Sequence, residues 1–213
     1  ILVVFFGLAL IKFMNSLIGL DSASTFGGMG SSREMFISFF AEPILFILIL
    51  FLYHETKAFN TFYISFSNSK LILYSVQHIM AAVAFFILLL AENARMPVDN
   101  PETHLELTMV HEAMILDMSG PDLALLELSS SIKFVIFLTL GLSLFLPVNM
   151  ASTMELIPIL ISLVVYLAKI IIALFVVAII ETSMAKFRLF RVPELLAAAF
   201  SIGLTALTMN FFL

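Results

Sequence analysis

Residues 91–127 read AENARMPVDNPETHLELTMVHEAMILDMSGPDLALLE. Eight of the chain's fifteen carboxylates stand here, Glu92, Asp99, Glu102, Glu106, Glu112, Asp117, Asp122 and Glu127, and the only Lys or Arg beside them is Arg95. The runs on either side are apolar and long enough to cross a bilayer, so this stretch must rest at, or dip into, a membrane surface.

Working outward, the composition agrees. Of 213 residues, 62% are hydrophobic and 12% charged, and the mean hydropathy is +1.15. Those values exclude an ordinary soluble fold. Six apolar segments of roughly 20 residues each, near 1–20, 35–53, 71–91, 129–148, 157–180 and 194–212, predict an all-α, polytopic transmembrane bundle. It reads as a single membrane domain over 1–213, with an acidic cytoplasmic loop over 92–128. The chain starts at Ile1 inside an apolar run with no basic leader, and so reads as a fragment. The net charge of −5 sits mostly in the one loop, no basic groove is present, and no nucleic-acid partner is expected. Without cysteine the chain cannot hold a thiolate-ligated iron-sulfur cluster or the usual nickel-iron site, so a redox metal belongs to a partner.

Six spans put Arg33, Arg95, Lys186, Arg188 and Arg191 on one side and only Lys57 and Lys70 on the other. The positive-inside rule makes the first side, with the acidic loop, cytoplasmic. The first loop, Asp21 to Glu34 (DSASTFGGMGSSRE), has the small residues of a tight connection. The loop His54–Lys70 reads as an external connection that leaves His54 and Glu55 at the surface. In the acidic loop, Asn100-Pro101-Glu102 starts a helix, with a capping residue, a proline at the first position and an acid at the positive end of the dipole. If it runs to about Asp117, Glu102, Glu106 and Asp117 share one face and His104, Thr108, His111 and Ile115 the other. Ser119-Gly120-Pro121 then breaks it.

Charges inside the spans carry the chemistry. Glu42 falls about 10 Å below the cytoplasmic end of its segment, where a carboxyl must be protonated, paired or hydrated, as a proton-exchange site would be. Lys12 and Lys133 are near enough to helix ends to snorkel. Lys169 is too central for that, so it should face the interior and pair with an acid or lose its charge. His78 either joins a proton relay or serves as an interhelical donor. Metal-ligand spacing is poor: His111-Glu112 lacks the second histidine of His-Glu-x-x-His, and His104 and His111 need a third element to share an ion. Nucleophilic triads, Walker loops and dinucleotide glycine patterns are missing too. The chain is not expected to run a reaction alone.

Ala91-Glu92-Asn93-Ala94-Arg95-Met96-Pro97-Val98-Asp99 resembles the Ala-Glu-x-x-Arg-x-Pro-x-Asp signature of the subunit 1 family of respiratory complex I, and Glu102, Glu106, Asp117 and Ser119-Gly120 follow in the family's order. Gly30-Ser31-Ser32-Arg33 with Glu42 beyond it resembles, without a gap, that family's Gly-x-x-Arg segment and membrane-embedded glutamate. His104-Leu-Glu-Leu-Thr-Met-Val-His111-Glu112 and Met118-Ser-Gly-Pro-Asp122 are closer in wording to the membrane subunit of formate hydrogenlyase and hydrogenase-4.

The resemblance implies a multi-pass subunit of the cell membrane that holds no cofactor itself. It would anchor the large and small subunits of a nickel-iron hydrogenase and iron-sulfur electron-transfer subunits, beside antiporter-like membrane subunits. A proton or sodium path would draw on Glu42, Glu92, Asp99, Glu102, Glu106, Asp117, Lys169 and His78. Arg33, Arg95, Arg188, Arg191, His104 and His111 would serve ion pairs or interfaces. Members of this family typically carry two further N-terminal helices and an amphipathic segment. The family's other branch lines a quinone chamber instead. A free-standing secondary transporter predicts inverted repeats, and the two halves of the chain show no self-similarity.

Overall fold

A computed structural model describes residues 1–65, 75–99, 110–147 and 156–212. Glu102, His104, Glu106 and most of the helix expected from Pro101 lie outside the described residues. The long elements are α1 (Leu2–Asp21), α2 (Thr25–Thr56), α3 (Val76–Glu92), α5 (Pro121–Phe145), α6 (Leu156–Ser183) and α7 (Val192–Phe212), with a five-residue α4 (His111–Ile115) in the acidic loop and a 3-10 turn (Leu189–Arg191) before α7. Five helices are long and apolar enough to cross a membrane, and α3, at 17 residues, is a shorter apolar helix in the place of the third span. The chain is a multi-pass, all-helical membrane protein.

Two helix starts differ from the sequence reading. The expected first loop is mostly helix, because Ser24 caps α2 by accepting from the Gly27 N–H at 2.9 Å and only Ser22–Ser24 remain to join α1 to α2. The 32 residues of α2 therefore run for about 48 Å, with Glu42 about 26 Å from the first residue, near the middle instead of one or two turns inside. Lys57, in the left-handed region at φ 55, closes its C-terminal end. In the acidic loop, the break at Ser119-Gly120-Pro121 is present: Gly120 takes φ +60 and Pro121 opens α5, as a residue with fixed φ and no N–H to satisfy is suited to do. That start lies upstream of the expected 129, and the added turns carry the exposed Asp122 and Glu127.

The core is made by α2, α3 and α7, with α3 lying against both of the others and α5 against α3. Ile37, Ala41, Ile44, Leu48, Phe51 and Leu52 form the buried stripe of α2, and Ala81, Ala84, Phe85 and Leu88 that of α3. From α7 come Leu196, Ala199 and Ala206. Alanines at this spacing let helices approach closely, which is where lipid-phase packing energy comes from. By contrast α6 touches the bundle mainly along α5, and Val177 is its one buried residue.

The short α4 folds back over the α1–α2 hairpin, burying Ala113 and Met114. Glycine makes that approach possible. A Cβ on Gly30 would lie 2.9 Å from the Val110 carbonyl and 3.0 Å from the Ala113 Cβ, and one on Gly19 would clash with the Ser31 Oγ. Ser31 itself donates to the Ser16 carbonyl at 2.9 Å, tying α2 to α1. Gly30→Val should therefore overpack this contact and cost about 1–3 kcal/mol, read as a lowered thermal midpoint of the detergent-purified protein. An unchanged midpoint would mean that α4 does not dock here.

Candidate functional site

Four charged side chains from four helices meet at one depth. Lys12 of α1 lies 3.4 Å from Glu34 of α2 and 3.2 Å from Glu92 at the end of α3. Lys133 of α5 lies 3.6 Å from the same Glu92 carboxylate and donates to the Glu92 main-chain carbonyl at 2.8 Å. All four side chains are 6–8% exposed. Lys12 and Lys133 thus do not snorkel, because each has a buried carboxylate within reach, which offsets part of its desolvation. Two ammonium groups and two carboxylates balance formally. Adding or removing one proton would leave an uncompensated charge in a medium of low dielectric, so the group responds as a set.

Beyond Glu92 the chain dips inward instead of lying on the surface. Met96, Pro97, Val98 and Asp99 are buried, and the Met96–Pro97 peptide is cis. Asp99, 2% exposed, is held on both carboxylate oxygens: Oδ2 accepts from the Val110 and His111 N–H groups at 3.2 Å, and Oδ1 accepts from Lys186 at 2.6 Å. Phe187 donates its N–H to the Pro97 carbonyl at 2.8 Å. The last loop therefore lies on the acidic loop, and Lys186 is engaged by Asp99. Arg188 and Arg191 of the same basic cluster are exposed. Arg95 pairs with Glu181 at 3.3 Å and rests over the Phe134 ring at 4.7 Å. Above the four charges opens a cavity of about 130 Å³ lined by Glu34, Glu92, Asn93, Arg95, Asp99, His111, Glu112, Ser130 and Lys133, among others, roomy and polar enough for several waters.

Of the residues singled out from sequence, Glu92, Asp99, Arg95 and His111 thus come together, whereas others do not. Asp117 is exposed beyond the end of α4, and Arg33 is half-buried. Glu42 is exposed on α2, while Glu34, eight positions earlier and read as the end of a loop, takes the buried site. The reason is the helix start: with α2 beginning at Thr25, Glu34 and Lys12 each stand nine residues from the α1–α2 turn, so an antiparallel hairpin brings them level. His78 and Lys169 lie toward the other end. His78, 2% exposed, contacts Glu55 at 3.2 Å and the Phe145 carbonyl at 3.0 Å. Glu55 is not a surface-loop residue, because α2 continues through it and leaves its side chain 8% exposed. Lys169 is half-buried and donates to the Leu146 carbonyl at 2.9 Å, so a main-chain oxygen stands among its partners. Among the described residues, no three His, Cys, Asp or Glu side chains gather in a way that could hold a metal ion.

Removing Glu92 alone should leave two buried ammonium groups facing one carboxylate. Glu92→Gln is expected to cost about 3–5 kcal/mol. Adding Lys12→Met restores the balance between Lys133 and Glu34 and should recover part of that loss. Denaturant unfolding of the single and double variants measures both terms, and additive losses would show that these charges do not act as a set.

Comparison with known proteins gives relatives of one kind. Hydrogenase-4 component C of Escherichia coli (strain K12) is 31% identical over 205 residues, which cover 93% of this chain and 62% of that protein. Formate hydrogenlyase subunit 4 of the same organism is 26% identical over 202 residues, covering 93% of this chain and 64% of its own length. The chain thus spans a little under two thirds of the curated relatives it matches. The family model described as NADH dehydrogenase matches residues 1–211, nearly the whole sequence, and the chain belongs to that family.

Proposed function

We propose that this chain is the membrane subunit of an energy-converting hydrogenase or formate hydrogenlyase complex, coupling a redox module docked at the acidic-loop end to a proton or sodium path through the bundle. The observation that carries the reading is the buried Lys12–Glu34–Glu92–Lys133 set beneath a polar cavity whose roof is the acidic loop. Such a set senses charge: a change in Asp99, His111 or Glu112, or in a partner seated over them, alters the field on buried groups that bulk water screens only weakly. Similarity to hydrogenase-4 component C and formate hydrogenlyase subunit 4 supports the hydrogenase branch.

In this reading the nickel-iron site and the iron-sulfur clusters sit in the hydrogenase large and small subunits and the electron-transfer subunits. Antiporter-like membrane subunits cover the apolar faces, α6 above all. The exposed Glu42, near the middle of a membrane-length helix, is costly against lipid and suits a face closed by such a partner, through which a proton could enter or leave. Arg188 and Arg191, exposed at the loop end, suit the docking of the redox module together with His104, and Glu102, Glu106 and Asp117 would belong to an acidic entrance. The accumulation of Arg33, Arg95, Lys186, Arg188 and Arg191 at this end supports a cytoplasmic orientation in the cell membrane. The chain itself supplies binding, orientation and charge, and no redox step.

Metal analysis of the intact complex, purified in mild detergent through a tag on this chain, should find stoichiometric nickel. Iron without nickel, together with bound quinone, would move the chain to the quinone branch of its family. In liposomes, Glu34→Gln should assemble and lose proton or sodium translocation per turnover. A wild-type ratio in that variant would remove the four-charge set from the path.

A further inference from the structure

Titratable side chains also gather at the end of the bundle opposite the acidic loop, away from the four-charge set, and they include Glu55, to which no role has been given above. The last turn of α5 offers main-chain carbonyls that no helical N–H can take up. Two are claimed from different helices: Phe145 accepts from the His78 Nε2 of α3 at 3.0 Å, and Leu146 accepts from the Lys169 Nζ of α6 at 2.9 Å. Both donors thus sit at the negative end of the α5 dipole. Glu55 of α2 closes the group, with its two carboxylate oxygens 3.2 and 3.3 Å from the His78 Nδ1.

The contacts of His78 limit where hydrogens can sit between it and its neighbours. A carbonyl oxygen only accepts, so Nε2 carries a hydrogen. Nδ1 facing Glu55 then needs a second proton between them, held either on Nδ1, giving imidazolium and carboxylate, or on Glu55, giving two neutral groups. The two forms interconvert by moving one proton between Nδ1 and the Glu55 oxygen, with no change in net charge. Loss of that proton would set lone pair against lone pair in a pocket that is nearly dry. Among the described residues, His54 stacks on Phe211 of α7 with ring centroids 4.3 Å apart, and Lys169 is engaged at Leu146. The rings of Phe51 and Phe145 flank His78 at 6.2 and 5.6 Å.

This group is separate from the four-charge set. His78 and Glu92 are fourteen residues apart on α3, about 21 Å along its axis, and the buried residues between them, Ala81, Ala84, Phe85, Leu88, Leu89, Leu90 and Ala91, are apolar. We propose that Glu55 and His78, steadied by the C-terminal end of α5 beside Lys169, form a second proton-exchange site, which loads and releases one proton at the face of the membrane opposite the acidic loop. It rests on the reading of this subunit as part of an ion path. Glu55 is the exchanging group, His78 its proton partner, and Lys169 a positioning residue that holds the end of α5.

The test uses the intact complex in liposomes, with proton translocation measured against turnover while pH is varied on one side at a time. Glu55→Gln should lose translocation and its response to pH on the side facing this end, and Glu55→Asp should recover part of both. Glu55→Gln with a wild-type ratio and an unchanged pH response overturns the site. Glu34→Gln in parallel separates the failures: if Glu34→Gln uncouples and Glu55→Gln does not, this site alone is wrong, and if neither does, the ion path through this subunit is wrong. Should Glu55→Gln fail to assemble, nitrogen NMR of the His78 ring in the wild-type complex decides. Nδ1 changing state with pH on that side, with Nε2 protonated throughout, supports the site, and a ring unresponsive to that side overturns it.

Discussion

Four buried charges that must stay paired set the architecture at the acidic-loop end. Lys12, Glu34, Glu92 and Lys133 belong to four different helices, and none of them tolerates a dry environment alone. Their meeting fixes the relative depth of α1, α2, α3 and α5 more sharply than the apolar contacts do, since one leucine against another is nearly as stable a turn away. It also accounts for the length of α3. That helix stops at Glu92, where its last carbonyl accepts the Lys133 ammonium and its side chain meets both lysines, and the chain turns at the level of the charges.

From that stop the acidic loop follows. A segment that leaves a helix inside the bundle must satisfy its polar groups there, and Asp99 does so by accepting two main-chain N–H groups from the start of α4 and the ammonium of Lys186. Three connections are thereby locked into one cap, with the α1–α2 turn below, α4 resting on Gly19 and Gly30, and the last loop above. The cavity under the cap is where charge on one element is felt by the others. At the far end, α5 supplies the organising feature through its own backbone: two carbonyls left over by helix geometry draw His78 and Lys169 to one place and bring Glu55 with them. The two centres bracket the bundle, joined by an apolar stretch of α3.

The surface tells a complementary story. Most of α6 is apolar and exposed, and α2 presents Glu42 on its outer side. A lipid-facing helix can be apolar, but a carboxyl there is costly. This contrast fits a subunit that meets lipid on some faces and other chains on others.

The sequence was enough for the class of fold and for the family, because both rest on features local along the chain. Apolar runs of bilayer length need no partner to be read, and the Ala-Glu-x-x-Arg-x-Pro-x-Asp and Gly-x-x-Arg stretches are contiguous. The break at Gly120-Pro121 was legible for the same reason. Which charges meet was not. Glu34 looked like a loop residue because Gly27, Gly28 and Gly30 with Ser31 and Ser32 suggested a turn, whereas packing against α1 and α4 makes them helix. Glu55 looked external and Lys133 looked close to a helix start because depth was counted from misplaced helix ends, and Lys12 looked able to reach the surface because the carboxylates that hold it stand on other helices. Ion pairing in a bundle depends on the depth and facing of helices far apart in sequence, quantities fixed only when the helices pack, and so the tertiary structure alone decided that Glu34 and Glu92 share two lysines and that His78 faces Glu55.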